Sequence, residues 1–241
     1  ANPPRDHHSP DQSDDGQHMT RKLTLFDLDH TLIPMDSDYE WNSFTTTLGW
    51  HDPVEFNRRN DAFYEQYKSG TLDIFEYVHF ATEALRLQGA LKSEAAHAKF
   101  MELVVKNAIQ PKALTLVREH QAAGDTVVIV TATNEFVTRP IARAFGVPEL
   151  IAIELARDPQ SGWFSGEIAG TPSFREGKVK RVEEWLAARG LNWGQVESTF
   201  YSDSMNDLPL LEKVTHPVAT NPEDRLRAVA LERGWRILEL F

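Results

Sequence analysis

Hydrophobic and polar positions change period twice along this chain. Residues 22–26 form a short β-type run that ends directly in acids, which puts those acids at the carboxyl end of a strand. From Asp38 to about Asn107 the period becomes helical. Trp41, Phe44, Thr45 and Leu48 make one apolar stripe and Phe75, Val78, Ala81 and Leu85 another, at steps of three and four. Thr71 or Asp73 caps a helix that Gly89 stops, and another helix covers residues 93–106. After Pro111 a helix runs to Ala123 and ends at Gly124. Residues 126–130 then form a nearly continuous apolar run, as in a parallel strand buried on both faces. Residues 150–155 and 163–168 read as a hairpin around residues 158–162. An amphipathic helix over residues 179–189 stops at Gly190, and residues 198–201, 217–219 and 235–238 are late strands.

This order predicts an α/β fold: a doubly wound, mainly parallel sheet carrying an inserted all-helical cap. The expected division is residues 20–35 and 111–241 for the core, 36–110 for the cap, and 1–19 for a disordered tail. The tail is rich in Pro, Asp, Ser and His and lacks the apolar stretch of a signal peptide; Met19 reads as a natural start. Its His7, His8 and His18 are expected to bind metal adventitiously at most.

Composition narrows the partners. Hydrophobic residues make up 41% of the 241 and charged residues 25%, enough to bury a core. A formal net charge of −11 without a basic patch argues against nucleic acid and anionic lipid. The apolar runs fall far short of the ~20 residues that span a bilayer. The absence of cysteine excludes disulfides, thiolate metal sites and a cysteine nucleophile, and suits the cytoplasm. The oligomeric state has no signature in the sequence.

The chemistry lies in the acids. Asp27 and Asp29 follow the first strand, and Asp203 and Asp207 follow the strand around Phe200. In a parallel sheet these strand ends face one another, and four crowded carboxylates call for a hard cation such as Mg²⁺. One acid is then free to attack phosphorus, and a neighbour to carry a proton. Thr131 at the end of the second strand can donate to a phosphoryl oxygen. Thr133 and Asn134, opening the next helix, can add backbone N–H groups. Lys178 can neutralise the nucleophile and the transferring group.

Four segments taken together, Asp27-Leu28-Asp29-His30-Thr31, Thr131, Lys178 and Asp203-Ser204-Met205-Asn206-Asp207, resemble the motifs of the haloacid dehalogenase-like phosphatases. The branch that contains phosphoserine phosphatase, with a helical cap between the first and second motifs, is the most similar, over about residues 22–240. The resemblance implies a Rossmann-like core, with Asp27 as nucleophile and Asp29 as general acid and then base. Mg²⁺ would be held by Asp27, the Asp29 carbonyl and Asp203. Thr131 and Lys178 would bind the phosphoryl group, with Asn206 and Asp207 supporting metal and lysine.

The same resemblance bears on the substrate, a small phosphorylated metabolite. Asp36 stands where phosphoserine phosphatases carry an acid for the substrate ammonium, although it could equally be a plain helix cap. Thr131-Ala132-Thr133-Asn134 replaces the Ser-Gly-Gly usual there, and Arg58 and Arg59 are candidates for a carboxylate grip by location alone. The segments at residues 36–41 and 132–138 are similar to a group that includes histidinol-phosphate phosphatases, so histidinol phosphate ranks before phosphoserine. Transfer to an acceptor alcohol, and a binding protein without catalysis, are the competing functions. Tyr39, Trp41, Phe44, Phe63, Tyr64 and Tyr67 are expected in the insert core, His79 as a core or surface side chain, and His30 in a neutral packing role.

Overall fold

The computed structural model describes residues 21–241, so the expected tail and its histidines lie outside the described residues. β1 (Arg21–Phe26) opens the sheet, and every element between it and the next strand is helical. These are α1 (Ser37–Thr47), α2 (Pro53–Ser69), α3 (Ile74–Ala81) and α4 (Glu83–Phe100), then a π-helical turn at Met101–Val105, α5 (Lys106–Ala108) and α6 (Pro111–Ala122). The rest alternates: β2 (Thr126–Asn134), α7 (Glu135–Ala144), the pair β3 (Glu149–Arg157) and β4 (Phe164–Ala169), α8 (Glu176–Ala187), β5 (Val196–Ser202), α9 (Leu208–Lys213), β6 (His216–Thr220), α10 (Asp224–Arg233) and β7 (Arg236–Leu238). No described helix is long and apolar enough to cross a membrane.

The seven strands run in the order β4-β3-β2-β1-β5-β6-β7, parallel except for the β3–β4 hairpin. The sheet is therefore a doubly wound Rossmann-like one. The chain winds outward from β1 in one direction and then in the other, and the crevice between β1, β2 and β5 is a topological switch point. Register makes this specific. Phe26 pairs with Ile129 on one side and Tyr201 on the other, so Asp27, one residue on, emerges beside Thr131 and Asp203, each two residues on. The Asp27 amide donates to the Tyr201 carbonyl at 3.0 Å, extending the ladder by one residue.

Alternation along the strands fills both faces. Phe26, Ile129 and Tyr201 join a cluster with Leu28, Trp41 and Phe100, whereas Leu23, Leu25, Val128, Val130 and Phe200 pack with Val182 and Leu186 of α8. The burial of β2 on both sides matches its apolar run.

Several local expectations are corrected. The helix foreseen from Asp73 to Gly89 breaks earlier, at Thr82, although Asp73 does cap α3 by accepting the Phe75 amide at 2.9 Å. Gly89 then interrupts α4 with φ 78°, a left-handed conformation glycine adopts without strain. Phe75 is 52% exposed and Leu48 43%, so each drops out of its expected stripe. Exposed Tyr39, Tyr64 and Tyr67 are not insert core. β2 extends through Asn134, past the expected end at Val130.

Candidate active site

The turn after β1 is tight because the amides of Thr31, Leu32 and Ile33 all converge on the Leu28 carbonyl. His30 takes φ 59° in that turn and is exposed, which corrects the packing role expected of it. Asn221, itself at φ 46°, braces the turn by donating from Nδ2 to the carbonyls of His30 (3.1 Å) and Thr31 (3.2 Å). Two strained residues thus hold the first acids in position.

Lys178 is fully buried in the first turn of α8, 151 residues from Asp27 in sequence. Its Nζ donates to Asp27 Oδ1 at 3.1 Å and to Asp207 Oδ2 at 3.0 Å. Burial works to lower the ammonium, but the charges of Asp207 and Asp27 outweigh it and the group is held raised. Asp207 also accepts from the Ser202 hydroxyl at 2.7 Å; burial lifts it to about 6 against the pull of Lys178. The Thr31 hydroxyl lies 3.3 Å from Asp27 Oδ2 and 3.0 Å from Asp203 Oδ1, joining the two strand ends. Burial, and then the Asp27 charge, push Asp203 up to about 10. One ammonium lies among three neighbouring carboxylates and pairs with two, and Asp203 is the one left without a cation.

Asp29 faces the other way, toward the helical insert. Its Oδ1 accepts the Ser37 amide at 3.0 Å and its Oδ2 the Thr133 hydroxyl at 2.9 Å. Burial and the nearby Asp36 raise it to about 8, so it carries a proton at neutral pH. Thr131 is buried beside it; its Oγ1 accepts the Thr133 amide at 3.1 Å and its carbonyl accepts the Ser173 hydroxyl at 2.6 Å.

The remaining candidates divide. Asn134 is buried as the cap of α7, its Oδ1 accepting the Val137 amide at 3.2 Å, so its side chain is committed away from the crevice. Asp36 is exposed and caps α1 through the Tyr39 amide at 2.9 Å, the plain-cap alternative, while remaining close enough to raise Asp29. Asn206 receives Arg175 Nε on its Oδ1 at 3.2 Å and donates from Nδ2 to the Tyr67 hydroxyl on α2. Arg58 pairs with Glu55 and Arg59 with Glu83, so both candidate carboxylate grips are engaged on the insert.

Sequence reasoning passed over Thr31, Ser37, Ser173, Ser202, Arg175 and Asn221, whose contacts depend on the folded arrangement. Asp38, which the sequence sets close to Asp36, is buried against the Tyr77 hydroxyl at 2.6 Å and lifted to about 7 by that burial. Gly177 was also passed over: a Cβ there would meet the Pro172 carbonyl oxygen at 2.0 Å. The tight turn leading into α8 requires glycine, and this turn delivers Lys178.

The chain as a whole is similar to known proteins. The family model described as haloacid dehalogenase-like hydrolase matches residues 24–212. A protein of Neisseria meningitidis serogroup C named histidinol-phosphatase is 39% identical over 219 residues, covering 90% of this chain and 98% of that one. A solved structure from Bordetella pertussis Tohama I, described as a protein with unknown function, is 50% identical with a TM-score of 0.87, covering 92% of this chain and 100% of that one. A substrate-bound phosphoserine phosphatase has a TM-score of 0.61 at 18% identity, covering 92% of this chain and 93% of that one, and shares the fold.

Proposed function

This chain belongs to the haloacid dehalogenase-like hydrolases and is a phosphatase, and we propose that Asp27 is its nucleophile and a small amine-bearing phosphomonoester, histidinol phosphate before others, its substrate. The observation that carries this reading is the buried Lys178 ammonium, 3.1 Å from Asp27 and 2.9 Å from Asp207. It orients one Asp27 oxygen and balances charge where a phosphoryl group would arrive.

Mg²⁺ fits the donors. Among the described residues no three His, Cys, Asp or Glu side chains form a ready cage. Mg²⁺ needs none, since it takes one or two carboxylates and fills its remaining positions with water and phosphate. Asp27, Asp203 and the Asp29 carbonyl would hold it, and when bound it would spread the negative charge of the phosphoryl oxygens.

An Asp27 oxygen attacks phosphorus as the ester P–O bond breaks, and the leaving oxygen takes the proton that Asp29 holds up to about pH 8. The Asp29 carboxylate next takes a proton from water while that water's oxygen attacks phosphorus. The Asp27–phosphorus bond breaks, releasing inorganic phosphate. Thr131 and the amides near Thr133 and Asn134 would bind the phosphoryl oxygens. The Thr133 hydroxyl keeps Asp29 aimed through its 2.9 Å bond.

Helices α1–α5, residues 36–110, would serve as the cap over this site. Asp36 adds negative charge near Asp29, which favours a cationic substrate group, and the engagement of Arg58 and Arg59 favours one without a carboxylate. Kinship with the neisserial histidinol-phosphatase over nearly its whole length supports the same choice.

The test is a substrate panel with Mg²⁺, comprising histidinol phosphate, phosphoserine, phosphoethanolamine and glycerol phosphate. Histidinol phosphate should lead in kcat/KM by about tenfold or more. Equal turnover of all four would sink the substrate assignment. Asp27→Asn should abolish phosphate release without unfolding the protein, and release that persists would remove Asp27 as nucleophile.

A further inference from the structure

α2 is 17 residues long and buries a single side chain, Phe56, which stacks on Phe80 of α3 at 4.9 Å within the insert. Its carboxyl end is tied to the core by polar contacts instead. Arg175 donates from Nη1 to the Gly70 carbonyl, just beyond α2, at 3.3 Å and from Nε to Asn206 Oδ1 at 3.2 Å. Asn206 in turn donates from Nδ2 to the Tyr67 hydroxyl in the last turns of α2 and to Ser204 Oγ at 3.2 Å. Two points on α2 thus converge, through one arginine and one asparagine, on the loop between Asp203 and Asp207. The Phe174 ring supports the guanidinium from 4.8 Å.

The backbone of Arg175 is strained. It sits at φ 54°, ψ −123°, a region that favours glycine, immediately before α8 and three residues before Lys178. Strain of this kind persists where the surroundings over-determine it, and it gathers at functional sites. The chain at this point reaches outward to the insert while the next turn of α8 delivers Lys178 inward.

We propose that Arg175 is a positioning residue, which acts with Tyr67 through Asn206 to fix the loop from Asp203 to Asp207 around Lys178 when the helical insert is seated. It touches no reacting atom. The proposal rests on the phosphoryl-transfer reading of Asp27 and Lys178, and the test separates the two.

Arg175→Gly removes the side chain where the backbone already suits glycine, and Tyr67→Phe removes one partly exposed hydroxyl. Each should lower kcat about tenfold with KM within about threefold, since alignment and not ground-state binding is lost. The melting temperature should stay close to that of the wild type. The double variant should be no slower than the slower single one, because both side chains act through Asn206. Amide exchange at residues 66–71 should quicken in Arg175→Gly. Unchanged kcat in both single variants, or losses that multiply, would overturn the proposal. Should no phosphomonoester be turned over while exchange still quickens, the phosphatase reading fails and the tie between insert and core stands. An active enzyme in which neither kcat nor exchange moves would keep the phosphatase reading and remove the positioning role of Arg175.

Discussion

At the level of single residues the site separates two carboxylates by environment. Asp27 is held beside an ammonium, whereas Asp29 has no cation and is raised to about 8 by burial and by Asp36. An acid that keeps its proton to that pH can protonate a poor leaving group across the neutral range. Turnover of an alkyl phosphate should therefore fall as pH rises through about 8, because the acid form is lost there. Asp29→Asn should abolish that limb and cost about 10²–10⁴ in kcat on histidinol phosphate. With p-nitrophenyl phosphate, whose leaving group needs no proton, the same variant should show a burst of one nitrophenolate per active site and then slow turnover, since only the hydrolytic step lacks its base. Stopped-flow absorbance checks this, and absence of a burst would show that Asp29 is needed before phosphoenzyme formation. The two acids were legible in the sequence because both lie in one five-residue run. Thr31, in the same run, was not legible as the link to Asp203, because that contact spans 172 residues and a threonine after a strand carries no signature of its partner.

Among the elements, α8 shows how a turn can matter as much as a helix. Its amphipathic body and its stop at Gly190 follow from periodicity, yet its start, the part that carries Lys178, is set by the turn over residues 172–177. Ser173 pins that turn to the Thr131 carbonyl, and Gly177 admits the close approach of the Pro172 carbonyl. Gly177→Ala should push the turn outward, destabilising the protein by about 1–3 kcal/mol and slowing turnover by about 10–100-fold as Lys178 moves. Gly194→Ala, whose nearest neighbour would be the capping Asn192 Oδ1 at 3.3 Å and not a backbone carbonyl at 2.0 Å, is the matched control and should be much the milder of the two. Melting and steady-state rates measured together decide, and an unperturbed Gly177→Ala enzyme would mean the turn relaxes freely. Strands and most helix ends could be read from local composition, since burial period and capping chemistry are local. The break at Thr82 and the outward-facing Phe75 could not, because they follow from how α3 and α4 fold back against β4, a tertiary constraint that no window of sequence contains.

Across the whole molecule, the doubly wound sheet gathers its charge at one edge. A chain of net charge −11 brings Asp27, Asp29, Asp203 and Asp207 to the ends of β1 and β5 with one buried ammonium among them. Burial and mutual repulsion raise Asp203 to about 10, Asp29 to about 8 and Asp207 to about 6, all above the ordinary carboxyl value of 3.8. A carboxyl raised in the folded state keeps a proton that the unfolded chain has already released. Above the ordinary value the unfolded state therefore binds fewer protons, and folding stability without metal falls as pH rises toward each raised value. Mg²⁺ would bind the ionised carboxylates of Asp27 and Asp203 and displace the proton that Asp203 keeps, so its affinity grows as pH rises. The rise in melting temperature on adding Mg²⁺ should thus be larger at pH 8 than at pH 5.5, with about 2.7 kcal/mol of stabilisation expected at a hundredfold excess over Kd. Asp203→Asn should melt higher than the wild type at pH 8 without metal, because folding no longer has to take up the proton that a buried Asp203 keeps, and should gain less from Mg²⁺. Calorimetry of the two proteins at both pH values tests this. A Mg²⁺ shift that is the same at both, or that survives Asp203→Asn undiminished, would remove Asp203 from the metal site and leave its raised carboxyl to be explained by packing alone.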